Sequence, residues 1–176
     1  MYNCEQYGDY IFYPSRVVHH KRQHLAIEAM KYTKSDVKLI ISGQPGSDAM
    51  STFTNNLIRK NNLESKITFI NRWISEEDKV ELMANSLACA YIPYDEDSYG
   101  YVSLEAFHSK KPVITCIDSG GVLELVENRL SGLISLPNPK DLAQCFDELF
   151  YNKQLAKSMG EYGNEKLTHL ILHGTM

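Results

Sequence analysis

No stretch of this sequence approaches the roughly 18 consecutive apolar residues of a membrane-spanning helix, and no signal-peptide pattern opens it. Blocks of like charge are missing too. The 18 Lys and Arg are mixed with 22 Asp and Glu for a net charge of −4, so neither nucleic acid nor an anionic membrane surface is indicated as a partner. Cysteine is sparse: Cys4, Cys89, Cys116 and Cys145 form no C-x-x-C pair, and Cys89 and Cys116 lie inside apolar runs. They read as reduced thiols of a cytoplasmic protein rather than as disulfides or zinc ligands. There is no internal repeat and no low-complexity segment. Glycine is absent where one class of nucleotide-binding protein requires it. Residues 10–20, YIFYPSRVVHH, hold the first apolar run and its following turn, which excludes the Gly-x-Gly-x-x-Gly cradle of a dinucleotide-dependent dehydrogenase. No cofactor is expected.

What is present is a regular alternation of short apolar runs with helical patterns. Strand-like runs fall at residues 10–14, 37–42, 66–70, 88–93, 112–116 and 132–136. A helix is expected over residues 20–32, where Leu25, Ala26, Ala29 and Met30 form one stripe, and another over residues 48–61. Ser75 followed by Glu76, Glu77 and Asp78 is a helix start with an acidic first turn. Two further helices are expected over residues 140–151 and 154–170. Such alternation argues for a parallel sheet with helices on both faces, and the length suits one domain with its own core. The expected fold is therefore α/β, a doubly wound, Rossmann-like parallel sheet of six strands. Residues 1–9 read as a linker-like lead-in and residues 10–176 as the domain. In the strand order 3-2-1-4-5-6, ligands bind above the carboxyl ends of strands 1 and 4.

Residues 93–121, PYDEDSYGYVSLEAFHSKKPVITCIDSGG, carry the most chemistry. An apolar strand leads into the acidic triplet Asp95-Glu96-Asp97, then Ser98-Tyr99-Gly100, then a helical pattern with Val102 and Ala106 one turn apart. Ser98 is the expected N-cap, and Gly100 lets the backbone turn closely. Free amides at that helix start make an anion site, and Glu105, about a turn further on, suits sugar hydroxyls. On the other side, strand 1 runs into Arg16 and then Lys21. Two cations and an anion cradle thus converge on one crevice, as a nucleotide diphosphate requires. Lys21 and Arg22 also suit the exposed start of a helix. The triplet has the D-x-D spacing of a metal-binding loop, but three acidic residues on a loop read first as solvated, and no metal is expected.

At this stretch the sequence resembles a known family. DSYGYVSLEAFHSKKPVIT followed by SGGVLELVENRLSGLI is similar to the C-terminal, nucleotide-sugar-binding domain of GT-B glycosyltransferases of family 4, over about residues 10–165. That family carries an acidic residue, seven others and a Glu, then a Pro-Val strand and a Gly-Gly-x-x-Glu turn. Asp97, Glu105, Gly120, Gly121 and Glu124 take those positions, with Asp97 standing where the family usually has the longer Glu. Arg16 and Lys21 keep the spacing with which the family grips the diphosphate.

The resemblance implies roles. Arg16, Lys21 and the amides of Tyr101 and Val102 stabilise charge developing on the diphosphate, Glu105 holds the ribose hydroxyls, and Asp97 faces the donor sugar. Trp73 flanks the base, or is simply a partly buried loop aromatic. The implied donor site comprises Arg16, Lys21, Trp73, Asp97, Tyr99, Gly100, Tyr101, Val102 and Glu105, with Arg16, Lys21 and Asp97 as its catalytic members. The implied reaction moves a hexose from a UDP-, GDP- or ADP-sugar to an acceptor hydroxyl with retention, in polysaccharide, lipopolysaccharide or glycolipid synthesis. Acceptor recognition, and any peripheral membrane contact, is expected from an N-terminal domain outside this chain, which alone should bind nucleotide and turn nothing over. The alternative is a non-catalytic nucleotide-sugar-binding module, in which Asp97 marks lost chemistry.

Overall fold

Residues 4–174 are described by the structure, a computed structural model. Strands β1 (Tyr10–Pro14), β2 (Lys38–Ser42), β3 (Ile67–Ile70), β4 (Ala88–Ala90), β5 (Val113–Cys116) and β6 (Gly132–Ser135) form one sheet in the order β3-β2-β1-β4-β5-β6. Every pairing is parallel, with Phe12 of β1 opposite Ile40 of β2 on one side and Cys89 of β4 on the other. The central strands have no polar face. Ile11, Phe12 and Tyr13, all of β4, and Val113, Ile114 and Cys116 are buried, as a sheet covered on both faces demands.

The covering helices are α1 (Gln23–Ala29), α2 (Asp48–Lys60), α3 (Glu76–Ala84), α4 (Tyr101–His108), α5 (Pro139–Tyr151) and α6 (Lys153–Leu172). Four of them start where a short polar side chain can take an orphan amide. Ser47 accepts from Met50 N, Ser75 from Asp78 N, Asn138 from Asp141 N and Asn152 from Leu155 N, each cap contributing about 1 kcal/mol. Helix α6 lies directly on α4: a Cβ at Gly160 would stand 1.9 Å from Lys110 O, and one at Gly163 2.5 Å from the Phe107 ring. Cys89, Cys116 and Cys145 form no disulfide, and Cys89 and Cys116 are buried in β4 and β5. No helix among the described residues is long and apolar enough to cross a membrane.

Two expectations are corrected. The helix expected over residues 20–32 is interrupted: a short 3-10 turn, His19–Lys21, ends at Arg22, whose φ of 57° is left-handed, and the α-helix begins only at Gln23. The apolar stripe is real, but the break lets the Arg22 side chain turn back over the sheet. Ser98 is not the cap of α4 either. Gly100 is, with φ 75° and no side-chain cap, because only a residue without Cβ can pass the Tyr91 ring, 2.4 Å from where that atom would be.

Helix α4 ends in a Schellman turn: Lys111 N donates to Ala106 O at 2.8 Å and Lys110 N to Phe107 O at 3.1 Å, with Lys110 left-handed at φ 58°. Its neighbour Lys111 is fully buried. The Lys111 ammonium donates to Cys4 O at 3.1 Å and Gln6 O at 2.5 Å and lies 3.9 Å from the centre of the Tyr7 ring. Tyr7 in turn donates to Lys110 O at 2.6 Å. Residues 4–7 are thereby strapped to the end of α4 away from its N-terminus. Burial depresses the Lys111 pKa to about 8.

Candidate functional site

The strand order places the loops after β1 and β4 side by side, and backbone bonds fasten them. Tyr94 N donates to His20 O at 2.9 Å. The loop after β4 also pairs with the loop after β5: Asp95 N to Asp118 O at 2.9 Å, Glu96 N to Ser119 O at 3.1 Å and Gly121 N to Glu96 O at 2.7 Å. This ladder explains Gly120 and Gly121. A Cβ on Gly120 would meet Glu96 O at 2.4 Å and one on Gly121 would meet Asp97 O at 2.2 Å, so their close approach is to the Glu96-Asp97 backbone.

Within this frame Lys21 is held by a carboxylate and a phenol. Its ammonium lies 2.6 and 2.7 Å from the two carboxylate oxygens of Glu96 and 3.2 Å from the Tyr91 hydroxyl, while Tyr91 itself donates to Glu96. His20 Nε2 approaches the same carboxylate at 3.5 Å. Partial burial pushes the Glu96 pKa up, but hydrogen bonds from Lys21 and Tyr91 outweigh it and hold the carboxyl below its usual value. Glu96 is thus not a free member of a solvated triplet. It is the residue that faces Lys21, while Asp95 and Asp97 are exposed. No three His, Cys, Asp or Glu side chains gather into a metal-sized group among the described residues.

Arg22, released by its left-handed turn, spans the crevice floor. It donates to Ile92 O at 2.8 Å and Pro93 O at 3.0 Å, and grips Asp118 with two bonds of 2.7 and 3.0 Å. The Arg22 hydrogen bonds hold the Asp118 carboxyl below its ordinary range. Neither Glu96 nor the Arg22–Asp118 pair was singled out by motif, because nothing in the local sequence says which loops meet. The signal was available only jointly: with β1 beside β4 and β4 beside β5, cations after β1 must find carboxylates in the loops after β4 and β5.

Arg16 is exposed, and its turn is fixed from beneath by the buried Gln23, whose amide donates to Arg16 O at 3.0 Å. At the start of α4 the amides of Tyr101 and Val102 take no backbone carbonyl, and Ser103 N closes on Gly100 O at 3.1 Å. These free N–H groups at a helix start favour an anion. The Tyr101 side chain is 84% exposed and Tyr99 reaches Glu124 at 3.4 Å.

Glu105 is half-buried one turn into α4. Its Oε1 accepts from Lys79 of α3 at 3.1 Å, and Lys79 also meets Glu76 at 3.1 Å. Trp73 is 71% exposed and so is not the partly buried aromatic of the second expectation. It lines an open, polar recess of about 430 Å³ with Gln44, Ser47, Asp48, Ser51 and Asn71 at the carboxyl ends of β2 and β3. The structure therefore brings Arg16, Lys21 and the α4 start to one edge of the sheet, with Trp73 on the β3 side of it.

The family model of the glycosyl transferases group 1 matches residues 5–166. An uncharacterised glycosyltransferase of Methanocaldococcus jannaschii is 31% identical over 161 residues, which make up 90% of this chain and 43% of that protein. The human alpha-1,3/1,6-mannosyltransferase ALG2 is 27% identical over 111 residues, 63% of this chain and 26% of that one. The chain thus spans less than half the length of these relatives. Among solved structures, Anabaena HepE in complex with UDP and glucose superposes with a TM-score of 0.83 at 22% identity, covering 92% of this chain and 44% of that one. The C-terminal domain of a group 1 glycosyl transferase from Francisella tularensis superposes at 0.79 with 20% identity, covering 94% of this chain and 87% of that domain.

Proposed function

Because this chain belongs to the group 1 glycosyltransferases, we propose that its crevice binds a nucleotide diphosphate sugar and serves transfer of the hexose to an acceptor hydroxyl with retention. The observation that carries the reading is the convergence, at the reversal point of the sheet, of Arg16, Lys21 and the free amides that open α4. A diphosphate placed there meets Arg16, the helix start and, once its ammonium exchanges the Glu96 carboxylate for a phosphoryl oxygen, Lys21, and these stabilise the charge that grows on it as the glycosidic bond breaks. Glu105 accepts from the ribose hydroxyls, Trp73 flanks the base, and Asp97, with Tyr99 and Gly100 beside it, faces the sugar. UDP and glucose in the Anabaena neighbour, and mannosyl transfer in the name of the human relative, support a nucleotide diphosphate hexose as donor.

The acceptor side is assigned to the remainder of the longer relatives. Exposed Trp73, Tyr94, Tyr101, Ile117 and Leu136 follow the carboxyl ends of four strands and suit a surface that another domain covers. In this reading the 176-residue chain binds donor but leaves one wall of the reaction cleft open, so transfer to an acceptor is not sustained.

Thermal-shift titration with UDP, GDP and ADP and their sugars tests the site, since a ligand specific for the folded state raises the melting temperature by mass action. One nucleotide series is expected to stabilise the chain, and Arg16→Ala is expected to abolish most of that shift. No shift with any of them would remove the donor-site reading.

A further inference from the structure

We propose that Lys79 is a positioning residue for the donor site, acting through Glu105 to set the protein's discrimination for an intact ribose. The inference rests on the assignment of Glu105 to the ribose hydroxyls. Glu105 lies on α4 and Lys79 on α3, so their contact joins two helices that separate loops of the chain supply. The ammonium stands 3.1 Å from Glu105 Oε1 and 3.1 Å from Glu76 Oε1. A carboxylate offers about four lone-pair directions, and Lys79 takes one of them, which leaves Oε2 for vicinal hydroxyls that arrive as paired donors.

Three features separate this pair from an ordinary surface ion pair, which contributes little. Both partners are largely covered, with side-chain exposures of 24% for Lys79 and 34% for Glu105. The pair lines an apolar groove of about 330 Å³ together with Val80, Met83, Leu104 and Leu167, so apolar side chains border one side of the contact. Glu76, one turn before Lys79 on the same helix, meets the ammonium from a second direction and so biases its rotamer towards Glu105. Burial alone pulls the Lys79 pKa down, yet hydrogen bonds to Glu105 and Glu76 raise it overall. A rigid, charged donor beside Glu105 fixes its carboxylate plane, and a hydrogen bond to a charged acceptor depends steeply on that alignment. A Glu105 released from Lys79 still carries charge but samples several rotamers, and ribose binding must then order it.

The test is calorimetric titration of UDP, GDP and ADP, and of their 2′,3′-dideoxy analogues, into wild type, Lys79→Met, Lys79→Arg and Glu105→Gln. Met preserves the apolar stem and removes the ammonium. Lys79→Met is expected to weaken the bound ribonucleotide about three- to tenfold while leaving its dideoxy analogue unchanged, an effect on the scale of one oriented hydrogen bond. Lys79→Arg is expected to restore the ratio. A purely structural ion pair would lower the melting temperature of Lys79→Met without moving the ribo-to-dideoxy ratio, and that result overturns the proposal. Should Lys79→Met fail to fold, Lys79→Gln provides the same comparison with a polar end. If Glu105→Gln lowers the ratio and neither Lys79→Met nor Lys79→Gln does, the positioning role alone falls. If Glu105→Gln leaves the ratio intact, the ribose assignment falls and takes Lys79 with it.

Discussion

At the scale of single residues, the two cations expected to hold a diphosphate differ in what else they do. Arg16 is exposed and forms no ion pair among the described residues, so Arg16→Ala should cost about 1 to 3 kcal/mol in nucleotide diphosphate affinity and leave the melting temperature unchanged. Lys21 is also the partner of Glu96 and Tyr91, so Lys21→Ala should lower both affinity and thermal stability, and a variant that binds normally would remove Lys21 from the site. Because Glu96 is depressed in the fold, its contribution to stability is present above its unfolded pKa and fades as pH falls through the folded value. Urea denaturation of Glu96→Gln against pH should therefore lose part of the acid sensitivity of the parent protein. Lys111 runs the other way. The unfolded chain keeps that proton to about pH 10.5 and the folded chain only to about pH 8, so between the two the unfolded state binds more protons and stability from this group grows with pH. In an NMR titration of lysines labelled biosynthetically with ¹³C at Cε, one resonance should shift near pH 8, and its absence would mean that the residue 4–7 strap does not form. The places of Arg16 and Lys21 after β1, and of Glu105 in α4, were legible in the sequence. Glu96 was not, because a loop carboxylate flanked by two others reads as solvated until its cation is brought beside it.

At the scale of elements, all six strands lie where the apolar runs placed them, since strands buried on both faces must be apolar throughout. The misreadings were at helix starts. A pattern of apolar spacing reports the face a helix buries and is silent on backbone signs, so neither left-handed Arg22 nor the cap at Gly100 was visible. Gly100 combines a φ of 75° with an approach of 2.4 Å to Tyr91. Gly100→Ala should destabilise by about 1 to 3 kcal/mol in urea and, by shifting the α4 start, weaken diphosphate binding as well. A variant that loses neither would show that the helix start is free to move.

For the whole molecule, the position of the crevice was legible because strand order alone fixes the reversal point, whereas which loops lock to which depended on side chains reaching across it. Arg22 binds the end of β4 through two carbonyls and the loop after β5 through Asp118, and the Gly120-Gly121 ladder ties the same loops by backbone. The loops after β1, β4 and β5 are in effect one solid. In kinetic terms, a site whose backbone is tied across three loops is expected to bind with side-chain adjustment alone, as when Lys21 leaves Glu96. Stopped-flow mixing of the chain with its nucleotide should give a single phase whose rate rises linearly with ligand concentration, without the plateau that a slow rearrangement imposes. On the proposed function, any closure around the sugar comes from movement of this body as a unit against whatever supplies the acceptor.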